Sequence, residues 1–301
     1  MRIGVDLGGS KIELIALEDD GRVLTRTRVD TPREGYRAVL EAVVALVHAA
    51  ESELQRRGTI GIGTPGVISP ATGLVKNSNS VCLNGQPFDR DIAAALRREV
   101  RVANDANCFA LSEATDGAGA GAEVVFGVIV GTGVGGGVVV RGGLLTGPNA
   151  IAGEWGHNSL PWPNAQELPG PQCYCGKRGC IETFCSGPGL VRDHAANAQP
   201  TLTAREVVAA AEQGSTLAEQ ALRRYEERLA KSLASVVNVI DPNVIVLGGG
   251  LSNVRRLYHT LPRLIAKYAF SDRICTPVVP ARYGDASGVR GAAWLWPASP
   301  G

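Results

Sequence analysis

The sequence has little of what would tie it to a membrane, a nucleic acid or an oxidising compartment. No apolar run approaches the roughly 20 residues that a membrane-spanning helix needs, because glycines and charges interrupt every candidate. The N-terminus passes straight into the strand-like Ile3-Gly4-Val5-Asp6, with no basic-then-apolar leader pattern. Lys and Arg number 30 against 29 Asp and Glu, and the resulting net charge of +1 exerts no pull on nucleic acid or anionic lipid. The seven cysteines are odd in number and sit in a large chain without an export signal, which argues against a disulfide framework. A G-x-x-x-x-G-K-[ST] phosphate loop is also missing, so a bound phosphate would be held by hairpin amides and not by a helix N-terminus. These absences lead us to expect a cytoplasmic protein with neither nucleic-acid nor membrane partners.

What is present suits a globular enzyme. A chain of 301 residues can fill one large or two medium domains, and 45% hydrophobic with 20% charged residues is an ordinary globular balance. Ile3, Val5 and Leu7 alternate up to Gly8-Gly9-Ser10-Lys11, Ile12 and Leu14 resume the alternation, and Asp19-Asp20-Gly21 turns into a third strand. Thr31-Pro32-Arg33-Glu34 reads as a helix start with a capping box, and the apolar stripe from Tyr36 to Leu54 runs to Gly58. A strand over Thr59 to Gly63 leads to Thr64-Pro65-Gly66, and a helix is expected over Asp89 to Glu99. The opening plan recurs further on. A strand from Val124 meets Gly131-Thr132-Gly133 and a second strand follows, which suggests internal duplication, although two plain hairpins would look the same. Thr216 to Glu219 reads as another capping box, opening a helix that Asp241-Pro242 ends. The buried run Val244-Ile-Val-Leu247 opens onto Gly248-Gly249-Gly250, and a final helix begins near Val289. Strands alternate with helices throughout, giving an α/β class.

Three stretches carry chemistry. In Val102-Ala-Asn104-Asp105-Ala-Asn107 a single carboxylate stands between two amides at a strand end, a setting for taking a proton from a bound hydroxyl; an Asn-Asp turn is the competing reading. His157 with Cys173, Cys175 and Cys180 offers one imidazole and three thiolates, a set suited to tetrahedral zinc with no open position, hence structural. Glu154 is three residues from His157, and Glu182 two past Cys180, so both can present acceptors to a polyol; a solvated surface acid is the plainer reading of Glu154. Gly131-Thr-Gly133-Val-Gly-Gly136 also matches the dinucleotide pattern G-x-G-x-x-G, but the residues after it read as a strand where that fingerprint needs a helix.

Taken together these stretches resemble the ROK family of sugar kinases and repressors, within the actin-like ATPase superfamily. The resemblance is carried in family order by Asp6-Leu-Gly-Gly-Ser-Lys11, Gly63-Thr-Pro-Gly66, Asn104-Asp105-Ala-Asn107, Gly131-Thr-Gly133, Glu154-Trp-Gly-His157, Cys173-x-Cys175-x4-Cys180-Ile-Glu182 and Gly248-Gly-Gly250. With a strand starting at residue 2 there is no room for the winged helix of the family's repressors, so the kinase branch is implied. Ser10 replaces the family's usual Thr, and the gap between His157 and Cys173 is long. Val75-Lys-Asn-Ser-Asn79, Leu83-Asn-Gly-Gln-Pro-Phe88, Asn158-Ser-Leu-Pro-Trp162 and Trp294-Leu-Trp296 look most like the bacterial ROK fructokinases, with N-acetylglucosamine kinases next.

The resemblance implies an α/β, actin-like (RNase H-like) fold of two lobes with ATP and sugar in the cleft between them. Residues 1–117 and the terminal helix 289–301 would form the small lobe, and 118–288, with the zinc loop 157–182, the large one. Asp105 would be the general base toward the 6-hydroxyl of a hexose, fructose first and mannose second, with N-acetylglucosamine or glucose as alternatives. Asn79, Asn104, Glu154, His157 and Glu182 would read the sugar. Gly8, Gly9, Ser10, Lys11, Gly131, Thr132, Gly133, Gly249 and Gly250 would line ATP, and Asp6 would hold Mg²⁺ through water. Zinc would be structural, and the protein a homodimer, as is common in the family. A sugar sensor without catalysis and a nicotinamide-dependent oxidoreductase are the readings from other classes.

Overall fold

The computed structural model describes residues 1–198 and 200–297. Its strands are β1 (Arg2–Leu7), β2 (Lys11–Leu17), β3 (Val23–Asp30), β4 (Thr59–Thr64), β5 (Val67–Ile68), β6 (Val75–Lys76), β7 (Val100–Asn104), β8 (Val124–Val130), β9 (Val134–Val140), β10 (Gly143–Leu144), β11 (Val244–Gly248) and β12 (Val278–Pro280). The α-helices are α1 (Tyr36–Leu54), α2 (Phe88–Leu96), α3 (Asp105–Thr115), α4 (Ile181–Cys185), α5 (Gly187–Ala195), α6 (Ala204–Glu212), α7 (Thr216–Ile240), α8 (Leu257–Tyr268) and α9 (Ser287–Ala293). One sheet has the order β3-β2-β1-β4-β7 and the other β10-β9-β8-β11-β12, each with five strands, while β5 and β6 form a small ribbon. In the first sheet β1 is antiparallel to β2 and parallel to β4, and β4 is parallel to β7. In the second, β11 is parallel to both β8 and β12. The same meander-then-parallel order appears twice, which is the duplication that the paired glycine turns suggested.

The chain divides into two compact units: Met1–Gly121 with Gly137–Ala152 and Asp285–Gly301, and Ala122–Gly136 with Gly153–Gly284. In the first unit, the two-residue period of β1 sends Ile3, Val5 and Leu7 into a core with α1 and α2. The alternate residues of β1, Gly4 and Asp6, face the other way, toward α9. A methyl group at Gly61 of β4 would overlap the Ala292 carbonyl, and one at Gly291 of α9 would overlap the Cys108 carbonyl of α3. Glycine is therefore required on both sides of α9. The close approach brings α3, with Asp105 at its first position, firmly onto the sheet. In the second unit α7 is the main buried helix. Tyr225, Leu229 and Leu233 supply its apolar face, while Arg228 and Lys231 are also nearly buried.

Several helix ends differ from the sequence expectation. α1 begins after Gly35, whose φ is 108°, and not at Thr31-Pro32. Thr31 instead donates its hydroxyl to Gly8 O (2.8 Å) and its amide to Ser10 O (3.0 Å), so a long-range bond to the glycine turn wins over local capping. The same helix ends with Gln55 in the left-handed region (φ 50°), three residues short of Gly58. Ser215, not Thr216, caps α7 by accepting from the Ala218 amide. α2 stops at Leu96, short of Glu99. α9 stops at Ala293, and residues 298–301 of the expected terminal helix lie outside the described residues.

Candidate functional site

In the first unit the chemistry gathers at the ends of β1, β4 and β7. Asn104 closes β7 and caps α3, its side-chain oxygen accepting from the Ala106 and Asn107 amides, while its Nδ2 donates to Gly66 O at 3.3 Å. The expected Asn-Asp stretch is thus a strand-to-helix junction tied to the Thr64-Pro65-Gly66 turn. Asp105 is the first residue of α3 and is open to solvent; its Oδ1 accepts from the Ala106 amide at 2.8 Å. Burial by the surrounding protein nevertheless raises its carboxyl above the usual range, only partly offset by the Ala106 amide and Asn104. Asp6 is pushed up to about 7, by burial first and then by the charges of Asp105 and Glu13. No Lys or Arg among the described residues forms an ion pair with either acid. Arg28 offsets the rise at Asp6 only in part, and two neighbouring carboxylates without an ion-paired cation suit a divalent cation.

Gly8 closes the first glycine turn by donating its amide to Lys11 O (2.9 Å). Beside that turn the Ser80 hydroxyl is buried without a hydrogen-bond partner, and Oδ1 of Asn107 is orphaned in the same way. Buried polar atoms left unpaired beside a glycine turn and a carboxylate suit a polar ligand. Asn79 is exposed on the loop before Ser80. That loop is stapled by Asn84, which accepts from the Ser78 amide (2.9 Å) and donates to the Ser78 carbonyl (2.8 Å).

In the second unit Gly131 donates to Gly133 O (2.9 Å) and accepts from the Gly187 amide at the start of α5 (2.7 Å). Gly249, at φ 81°, packs under Val130, and Gly250 lies beside Gly131, so these three of the expected nucleotide-lining glycines are neighbours within this unit. β9 starts at Val134, directly after the turn, so no helix follows the G-x-G-x-x-G match and the dinucleotide fingerprint is absent. Glu182 Oε2 accepts from the Val134 amide at 2.9 Å. Trp155 fixes the Glu154–His157 turn against β8 and β9, donating Nε1 to Gly135 O (3.0 Å) and meeting Phe126 edge-on at 5.6 Å.

His157, Cys173, Cys175 and Cys180 place their ligand atoms within 4.8 Å of one another. Cys173 Sγ is 3.6 Å from His157 Nδ1, and Cys175 Sγ is 3.6 Å from Cys180 Sγ. Tetrahedral zinc with ordinary Zn–S and Zn–N lengths puts neighbouring ligands about 3.6 Å apart, so the four residues fit that metal. The outer nitrogen of His157, Nε2, meets the Tyr174 hydroxyl at 2.9 Å. Cysteine spacing did not reveal that contact. The tyrosine ring is largely exposed, yet its phenol is pushed up to about 12, by local desolvation first and then by Glu182 and Glu154. A second anchor of this loop also escaped the sequence reading. The Glu167 carboxylate accepts from Arg228 Nε (2.7 Å) and Lys231 Nζ (2.9 Å), and Lys231 also donates to Trp162 O (2.9 Å).

The comparisons decide the family. The sequence model of the ROK family matches residues 2–299. The chain belongs to the ROK family. It is 40% identical over 304 residues to an N-acetyl-D-glucosamine kinase of Pasteurella multocida, covering 98% of this chain and 99% of that protein. Among solved structures it is similar to a ROK hexokinase from Thermus thermophilus (TM-score 0.87, 36% identity, 97% and 96% of the two chains). It is also similar to a ROK glucokinase from Streptomyces griseus in complex with glucose and AMPPNP (TM-score 0.79, 28% identity, 98% of each chain). The expected α/β actin-like ATPase fold stands. Among the described residues no helix of this ROK protein is long and apolar enough to cross a membrane.

The segments that pointed to fructokinases do mainly structural work here. Trp296 donates to Ile60 O and lies under Arg101, Phe88 is core, and Trp162 stacks on Tyr268.

Proposed function

We propose that this protein is an ATP-dependent kinase that phosphorylates the 6-hydroxyl of N-acetyl-D-glucosamine. The observation that carries the chemistry is Asp105: a solvent-reachable carboxylate fixed at a helix start, with its proton affinity raised and no cation beside it. Support for the sugar comes from relatives named N-acetyl-D-glucosamine kinases, 38–41% identical over 98% of this chain; fructose, the first expectation, has no such support.

In the proposed reaction the sugar 6-oxygen attacks the γ-phosphorus in line, the bond from that phosphorus to the ADP oxygen breaks, and the hydroxyl proton passes to Asp105. The Gly8 and Gly131 amides are committed to closing their turns, so the amides that follow, at Gly9, Ser10, Thr132 and Gly133, are assigned to phosphate, with the Lys11 side chain beside them. Gly249 and Gly250 line the nucleotide. Mg²⁺, when bound with ATP, supplies neutralisation of phosphate charge, and Asp6 is the residue assigned to hold it through water. Asn79, Asn104, Glu154, His157 and Glu182 are assigned to the sugar hydroxyls. Two of them have further duties: Asn104 caps α3 and Glu182 holds the Val134 amide, so sugar recognition rests on groups already fixed in place. Bound by His157, Cys173, Cys175 and Cys180, zinc would supply rigidity to the segment that carries His157 and leads to Glu182 in α4.

The test is ADP release with Mg-ATP against N-acetylglucosamine, glucose, mannose and fructose. The highest kcat/KM on N-acetylglucosamine is the expected result. A preference for another hexose overturns the substrate and keeps the chemistry, and no sugar-dependent turnover moves the sensor reading to first place.

A further inference from the structure

Tyr174 stands between two of the cysteine ligands and is 78% exposed. Its hydroxyl is 2.9 Å from His157 Nε2, and the two rings meet edge-on at 5.1 Å and 90°. On the opposite side of the imidazole, Nδ1 faces Cys173 Sγ at 3.6 Å. A histidine that binds metal through Nδ1 must carry its proton on Nε2, and a hydrogen-bond acceptor there fixes both tautomer and ring orientation. In this chain that acceptor is the phenol oxygen. Nε2 is also the one ring nitrogen through which His157 can reach a sugar hydroxyl, because Nδ1 is turned to the cysteines. Phenol and sugar therefore compete for one donor. The phenol oxygen therefore occupies the hydrogen-bonding position on Nε2 that a sugar hydroxyl bonded to His157 would take. An exposed ring has little packing to lose on moving aside.

We propose that Tyr174 is the resident partner of His157 in the sugar-free protein and that a hydroxyl of the bound sugar takes its place. The exchange moves no covalent bond: Nε2–H donates first to the phenol oxygen and then to the sugar oxygen. Tyr174 is thus a positioning residue that keeps the zinc-site histidine aligned until substrate arrives. Zinc retention and sugar binding become linked, and the link must be reciprocal. This inference rests on the sugar-kinase reading of the same site.

The test is the rate at which EDTA strips zinc from wild type and Tyr174→Phe, each with and without saturating N-acetylglucosamine and without ATP. Zinc content of the purified proteins and calorimetry of sugar binding accompany it. Without sugar, Tyr174→Phe should lose zinc about tenfold faster, in line with loss of a partner behind a metal-bound histidine. Saturating sugar should bring both proteins to one slow rate. Equal rates without sugar overturn the pairing, as does wild-type protein purified free of zinc. A gap that sugar leaves unchanged overturns the exchange and makes Tyr174 a fixed support. Absence of sugar binding to wild type overturns the kinase reading and the exchange with it; that failure is recognised in calorimetry, where Tyr174 plays no part in the comparison.

Discussion

Asp105 and Glu167 are both carboxylates held by short turns, and their surroundings push them in opposite directions. Asp105 reaches solvent, has no cation beside it, and is raised by dehydration. Glu167 is 6% exposed; burial alone would raise it, but Arg228 and Lys231 together hold it below the usual carboxylate range. Charge pairing makes Glu167 a fixed strut, and a strut has no proton to exchange at neutral pH. Lack of pairing leaves Asp105 with an affinity for protons and a place for a substrate hydroxyl to approach. On the proposed function, the difference separates an acid available for chemistry from an acid committed to architecture.

The comparison can be broken from the architectural side first. Glu167→Gln leaves Lys231 without its carboxylate and removes one partner of Arg228, and breaking a buried pair typically costs about 3–5 kcal/mol. A large fall in Tm with kcat near that of the parent is expected; lost turnover at unchanged Tm would put Glu167 in the chemistry. Asp6→Asn sharpens the other side. The folded-state value of about 7 lies above the ordinary 3.8, so folding holds a proton that the unfolded chain releases. That contribution is complete below about pH 4 and is lost as pH rises through 7. In Mg²⁺-free buffer Asp6→Asn should therefore melt higher than the parent at pH 8, by a difference on the order of a few kcal/mol, and close to it at pH 4. A variant less stable at pH 8 would show that Asp6 has a stabilising partner. The smallest effect is expected from Cys175→Ser, which should release zinc and raise the sugar KM roughly tenfold through the loss of His157 alignment. Metal analysis and KM check it, and full sugar affinity in zinc-free variant would make the loop self-supporting.

Legibility in the sequence followed locality. Glycine turns, the Asn104-Asp105 junction and the cysteine spacing are short-range signals, and they located the two sheets' opening hairpins, the strand-to-helix junction that carries Asp105 and the cluster of His157 with three cysteines. Thr31 and Gly58 misled because their bonds are made elsewhere: Thr31 bonds Gly8, and Gly58 donates to the Glu51 carboxylate after Gln55 has already ended the helix. The Glu167–Arg228–Lys231 group spans more than sixty residues of chain, and no local pattern announces it. Asn84 carried a visible motif whose duty, stapling the Ser78 loop, only the fold explains. Trp294 and Trp296 were read as marks of a sugar preference, yet Arg2 and Arg101 cover them as packing.

The most direct measurement is the turnover of Asp105→Asn at saturating N-acetylglucosamine and Mg-ATP, alongside sugar binding by calorimetry. Removing a general base should lower kcat at least about a hundredfold while the sugar Kd stays close to that of the parent. Turnover near the parental rate would contradict the account, because the proton of the sugar hydroxyl would then have another acceptor.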